Sequence, residues 1–270
     1  MLDAFLALGA AGLIFGGILA LAAQKFKVEE DPRVVEILSV LPGANCGACG
    51  FPGCSGLAAA INEGQAPCNA CIPGGNVVAE KIASIMGVAG EAVEPMVAVV
   101  YCQGDHDRAE NLAEYHGVMD CHALNQLGGL KGCPYGCLGL GSCVNACPFG
   151  AMYMSPQGLP VVIKEKCTGC GACVRACPRN VIGLAPADKK VHILCRSYDK
   201  GPQVRKYCKA GCIACQLCVR SCPQKAISMD RKTLAKIDYS LCDNCGICAT
   251  KCPVKAIVDE KQSEAGRQVS

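Results

Sequence analysis

The run Cys-x2-Cys-x2-Cys-x3-Cys-Pro occurs three times in this chain, as Cys167, Cys170, Cys173 and Cys177, then Cys212, Cys215, Cys218 and Cys222, then Cys242, Cys245, Cys248 and Cys252. Thiolates two residues apart on a tight loop can converge on one inorganic cubane, while the loop's amide N–H groups point at its sulfurs and offset its negative charge. Neighbours in such runs are poorly placed to form disulfides with one another. Zinc sites of comparable size use two separated Cys-x2-Cys pairs or add histidines, and no His stands beside these runs. The chemistry expected is therefore one-electron transfer at [4Fe-4S] clusters, in a compartment that keeps thiols reduced.

In paired cluster sites, three close cysteines hold one cluster and the fourth crosses to the other. By that rule Cys212, Cys215 and Cys218 are completed by Cys252, and Cys242, Cys245 and Cys248 by Cys222. Cys167, Cys170 and Cys173 are completed by Cys147. The set left over is Cys133, Cys137, Cys143 and Cys177, whose spacing through Cys147-Pro148 reads Cys-x3-Cys-x5-Cys-x3-Cys-Pro, as if its loop were enlarged.

The elements that must position these ligands are set by an internal repeat. Four copies of Cys-Pro are each followed by an apolar pair, at Ala151-Met152, Val181-Ile182, Ala226-Ile227 and Ala256-Ile257, and four half-units make two modules. Short β-like runs at 159–163 and 234–237 lie between the halves. Upstream, residues 77–86 carry apolar side chains at helical spacing and residues 96–101 read as a buried strand. From Ala4 to Ala23 there are 20 residues without a charge, enough to cross a bilayer as a helix, followed by Lys25 and Lys27. The flanking cations place the rest of the chain on the cytoplasmic side of a cell membrane, as a single-pass protein. The fold class expected is α+β: a transmembrane anchor (1–24), a small mainly helical [4Fe-4S] domain (25–95), a connecting segment (96–127), two bacterial-ferredoxin-like 2[4Fe-4S] modules (128–190 and 191–258) and a tail (259–270).

With no Trp and only 4% aromatic residues, large side chains cannot fill most of the interior, so the clusters must help organise it. The overall charge of +3 hides a polarity: residues 1–159 balance to −8 and residues 160–260 to +10. The basic stretches lack interleaved aromatics, which excludes nucleic acid as the expected partner. No Walker-type loop, G-x-G-x-x-G or nucleophile elbow is present, so no catalytic acid, base or nucleophile is expected and nucleotide or flavin binding falls to other subunits.

The stretch Cys46-Gly-Ala-Cys49-Gly-Phe-Pro-Gly-Cys54, followed by Cys68 and by Cys71-Ile-Pro-Gly-Gly, comes after the apolar helix and before the tandem repeats. This combination resembles the B subunit of Rnf complexes, the ion-translocating ferredoxin:NAD oxidoreductases. The resemblance implies that Cys46, Cys49, Cys54 and Cys71 hold a fifth [4Fe-4S] cluster. It also implies that the chain serves as an electron-relay subunit of a membrane translocase. The partners implied are membrane-embedded subunits, a flavin- and NAD-binding subunit, membrane lipid, and soluble reduced ferredoxin as donor. The alternatives within reach of the sequence are a polyferredoxin of another membrane redox complex and a metal-bound scaffold without turnover. Five cysteines, Cys68, Cys102, Cys121, Cys195 and Cys208, are left over and are expected to be small buried apolar side chains.

Overall fold

The computed structural model describes residues 2–25, 31–109 and 111–261. The expected anchor coincides with helix α1, Leu2–Lys25, which ends on a basic last turn. Among the described residues no helix is long and apolar enough to cross a membrane. Lys27, Glu29 and Glu30, and the tail beyond residue 261, lie outside the described residues.

Three helices form the N-terminal domain: α2 (Pro32–Val40), α3 (Gly53–Asn62) and α4 (Gly75–Met86). Asp31 opens α2 by accepting the Arg33 N–H at 2.9 Å, with Pro32 in the first turn, where a missing N–H costs nothing. Gly87, at φ 69°, closes α4 in the left-handed conformation that glycine adopts without strain. Ile37, Leu57, Ile61 and Ile82 meet at full burial between these helices. Each contributes roughly 1.5–3 kcal/mol relative to exposure, which suffices for a core that is small and otherwise filled by alanine and cysteine.

The two modules share one plan. In the first, β1 (Met96–Val100) pairs antiparallel with β4 (Ile182–Pro186), and β2 (Met152–Met154) with β3 (Pro160–Val162). In the second, β5 (Val191–Ile193) pairs with β8 (Ile257–Asp259), and β6 (Ile227–Asp230) with β7 (Leu234–Ile237). Between strands lie one-turn helices: α6 (Ser142–Asn145) and α7 (Ala172–Arg175) in the first module, α9 (Leu217–Ser221) and α10 (Ile247–Lys251) in the second. Two further helices, α5 (Cys121–Gln126) and α8 (Gly201–Tyr207), sit in the long segments between the first strand of each module and its first ligand loop. Because β1 pairs with β4, residues 96–100, expected in the connecting segment, share a sheet with the first module.

The sheets are two-stranded and marginal by themselves. What makes them a fold is the row of buried thiols they cover: Cys137, Cys143 and Cys173 pack with Ala98, Met152 and Ile182, and Cys218 and Cys248 with Ile193, Ile227 and Ile257. The close fit is tested at Gly169. At φ 69° it occupies the left-handed region, and a Cβ there would stand 2.6 Å from the Met96 carbonyl oxygen. Gly169→Ala should destabilise the holoprotein by at least about 1 kcal/mol. Anaerobic thermal unfolding followed through the visible absorbance checks this, and an unchanged midpoint would contradict the packing of the loop against β1.

Candidate metal centres

Each ligand loop adopts the same backbone. The residues two and four positions after the first cysteine have positive φ in all four: Gly139 and Gly141, Gly169 and Gly171, Ala214 and Gln216, Asn244 and Gly246, all between 57° and 79°. Alternating left-handed residues curl the chain into a cup whose N–H groups point inward, a natural seat for an anionic body. The one-turn helix after each cup buries the third cysteine of the loop, at Cys143, Cys173, Cys218 and Cys248. The crossing cysteine is held by the amide four residues further on, at the apolar pair of its own half-unit: the Ala151 N–H donates to Cys147 Sγ at 3.3 Å and the Ala256 N–H to Cys252 Sγ at 3.2 Å.

Cavities of about 310 to 370 Å³, part of it open to solvent, lie inside these cups, and four cysteines line each. One is lined by Cys147, Cys167, Cys170 and Cys173. A second is lined by Cys212, Cys215, Cys218 and Cys252, and a third by Cys222, Cys242, Cys245 and Cys248. No three His, Cys, Asp or Glu side chains among the described residues converge as they would on a single ion. Thiols arranged around a cavity, with inward amides, fit a polynuclear body larger than one ion.

The fourth cavity is lined by Cys121, Cys137, Cys143 and Cys177. The structure does not bring Cys133 to it. The sequence carries a signal that explains the exchange: Cys137-Leu-Gly-Leu-Gly-Ser-Cys143-Val-Asn-Ala-Cys147-Pro aligns without a gap on Cys167-Thr-Gly-Cys-Gly-Ala-Cys173-Val-Arg-Ala-Cys177-Pro. The loop is thus of ordinary length, with Leu140 where the repeat has Cys170. Cys121 supplies the missing thiol from the start of α5. Its N–H donates to Ser142 Oγ at 2.7 Å, and Ser142 Oγ donates to Asp120 at 3.0 Å. Asp120 in turn caps α5 by accepting the Ala123 N–H at 2.9 Å, the contact that chiefly holds its carboxyl below the usual range. These bonds tie the first residue of α5 to the first residue of α6, next to Cys143.

In the N-terminal domain Cys71 is buried, and burial, reinforced by the neighbouring Cys54, Cys49 and Cys46 thiols, pushes its pKa up. Asn45, itself at φ 46°, accepts the Cys54 N–H at 2.8 Å and so anchors the 46–54 loop to the start of α3. Cys68 is half-buried against the same core. Arg175 joins this domain to the first module, donating to the carbonyls of Cys170 at 3.3 Å and Cys46 at 3.5 Å.

Burial is also the main reason that the thiols within the modules rise, Cys173 and Cys218 to about 11 and Cys137, Cys143 and Cys248 to about 12. Without metal they are neutral thiols, and iron displaces their protons. Cys102 and Cys121, left over from the regular runs, line different cavities.

Comparison with known proteins places this geometry in context. Residues 41–73 match an Fe-S cluster family, and residues 131–182 and 211–256 match two 4Fe-4S dicluster domain families. The chain is 49% identical to the B subunit of the Na(+)-translocating ferredoxin:NAD(+) oxidoreductase complex of Acetobacterium woodii, over 87% of this chain and 71% of that protein. It is 45% identical to the B subunit of the ion-translocating oxidoreductase complex of Methanosarcina acetivorans, over 90% and 92%. It is 49% identical to the B subunit of the proton-translocating ferredoxin:NAD(+) oxidoreductase complex of Clostridium ljungdahlii, over 86% and 82%.

The exchange at the fourth cavity generates a rescue experiment. Cys121→Ser should cost the anaerobically reconstituted chain about four iron atoms. Adding Leu140→Cys should restore them, because residue 140 lies between Gly139 and Gly141 as Cys170 lies between Gly169 and Gly171. Iron and sulfide analysis reads both. An unchanged count in Cys121→Ser would return the site to Cys133.

Proposed function

Because the chain belongs to the B-subunit family of ion-translocating ferredoxin:NAD oxidoreductase (Rnf) complexes, we propose that its cysteine-lined cups form a one-electron relay leading from a soluble donor ferredoxin toward partner subunits. The observation that carries the reading is the repeated group of four thiols around a cavity within a cup of inward amides. A bound [4Fe-4S] cluster supplies a one-electron couple. The protein holds it with four thiolates, excludes water by packing, and offsets its charge with N–H groups. Electron transfer is the chain's function within the complex, and no side chain need act as acid, base or nucleophile.

The ligand sets are Cys46, Cys49, Cys54 and Cys71 in the N-terminal domain; Cys147, Cys167, Cys170 and Cys173, with Cys121, Cys137, Cys143 and Cys177, in the first module; and the two sets of the second. Arg175 brings the N-terminal loop beside the Cys170 loop. Cys143 and Cys173 share one core in the first module, as Cys218 and Cys248 do in the second. Helix α1, with Leu13, Ile14, Phe15, Ile18 and Leu19 exposed, serves as the membrane anchor and as the contact with membrane-embedded subunits. The clusters then lie on the cytoplasmic side, and nucleotide and flavin chemistry belongs to other subunits. A single helix without a charge from Ala4 to Ala23 offers no ion path, so ion movement is theirs as well.

An acidic donor would dock on the basic second module. Lys200, Arg205 and Lys206 project from α8 and its N-cap and are exposed. The other basic group is more engaged, with Lys236 on Asp230 at 2.5 Å and Arg231 over the Tyr198 ring at 4.7 Å. Exposed unengaged cations steer association in a salt-dependent way. Stopped-flow reduction by ferredoxin should therefore slow as ionic strength rises. In Lys200→Gln, Arg205→Gln and Lys206→Gln combined, the rate at low salt should fall about tenfold and its salt slope flatten. Equal rates and slopes in the two proteins would move the docking site elsewhere.

A further inference from the structure

Four of the five leftover cysteines are accounted for by the geometry of the modules: Cys121 at the fourth cavity, and Cys102, Cys195 and Cys208 at a fifth. A further cavity, about 410 Å³ with part open to solvent, lies between the two modules, and four cysteines line it: Cys102, Cys133, Cys195 and Cys208. Its volume is at least that of the other four. Its construction is two-fold. Cys102 stands two residues after β1 and Cys195 two residues after β5. Cys133 stands four residues before Cys137, the first cysteine of its module's first ligand loop, and Cys208 four residues before Cys212, with Gly136 and Gly211 at matching places between. Each module thus contributes the same pair.

The amides share this symmetry. Cys102 Sγ accepts the N–H groups of Gly104 and Cys137, both at 3.4 Å. Cys195 Sγ accepts those of Ser197 at 3.5 Å and Cys212 at 3.3 Å. The Cys133 thiol has the Tyr135 and Gly136 N–H groups beside it, and the Cys208 thiol those of Ala210 and Gly211. A Cβ at Gly104 would stand 3.6 Å from Cys102 Sγ and 3.9 Å from Cys208 Sγ, so thiols of both modules converge there and glycine keeps the space open. Lys131 and Arg196 line the same cavity and place cations next to four thiols. Small buried apolar cysteines need neither paired amides nor a cavity, and these have both.

We propose that Cys102, Cys133, Cys195 and Cys208 hold a sixth [4Fe-4S] cluster, which bridges the two ferredoxin-like modules. It rests on the relay reading of the neighbouring sites and closes the gap in it. The amide of Cys137, a ligand on one side, donates to Cys102, and the amide of Cys212, a ligand on the other side, donates to Cys195. A cluster held there would supply a one-electron couple, taking one electron from a reduced cluster on one side and giving it to an oxidised one on the other, with no proton transferred. Of the 25 cysteines only Cys68 is then without a cluster.

Native mass spectrometry of the anaerobically reconstituted full chain counts whole clusters directly. Six clusters are expected, with five in Cys195→Ser and in Cys208→Ser, and six in Cys68→Ser. Cys133→Ser should also give five, and adding Cys121→Ser should give four, since the two residues serve different sites. A parent chain that saturates at five, variants that keep the parent's number, a two-iron centre, or zinc in the sixth position would each overturn the proposal. A chain without any clusters would instead overturn the relay reading itself.

Discussion

Everything in this fold depends on the bond between a buried sulfur and a backbone N–H. A thiolate taken out of water must recover the solvation it loses, and the backbone is the nearest supply of donors. The alternating left-handed residues of each ligand loop exist to turn those donors inward, and they do so even where the residue is not glycine, as at Ala214, Gln216 and Asn244. Such positions cost conformational energy in an empty chain. Because buried thiols such as Cys137 and Cys248 are protonated without metal, with pKa values of about 12, metal uptake, proton release and folding form one coupled equilibrium. The two-stranded sheets and one-turn helices around them are too small to stand alone.

The modules are variations on a single unit, and the variations are where function has been added. The insertions between β1 and α6 and between β5 and α9 carry α5 and α8, and with them Cys102, Cys121, Cys133, Cys195 and Cys208. One of these, Cys121, lines the cavity of the loop that has Leu140 where the repeat has Cys170. The other four come together across the module boundary. Lengthening a loop costs little closure entropy, so a repeated domain can acquire new ligands in its insertions without disturbing the strands that frame the old ones.

Much of this was legible in the sequence. The three regular cysteine runs, the crossing rule and the strands at 96–101 and 234–237 depend on short-range spacing, which is written directly in the chain. The gapless match of residues 137–148 to 167–178 was equally available, yet counting from Cys133 hid it, because a cysteine four residues before the loop mimics an enlarged loop. What spacing cannot carry is a ligand set drawn from four distant places. Cys102 and Cys195 are 93 positions apart, and they reach one cavity where the modules meet, beside contacts such as Arg196 over the Tyr101 ring and Gln103 on the Lys255 carbonyl. Assigning leftover cysteines to apolar filling was reasonable on composition and blind to their equivalent positions in the two modules.

The two-fold arrangement of Cys102 with Cys133 and Cys195 with Cys208 also bears on how the protein matures. Each outer cup is complete within its own module and can be filled as soon as that module has emerged from the ribosome. The central cup takes Cys102 and Cys133 from one module and Cys195 and Cys208 from the other, so it exists only where the two are seated against each other. A group bound there by all four thiols would tie the two modules together, which none of the outer cups can do.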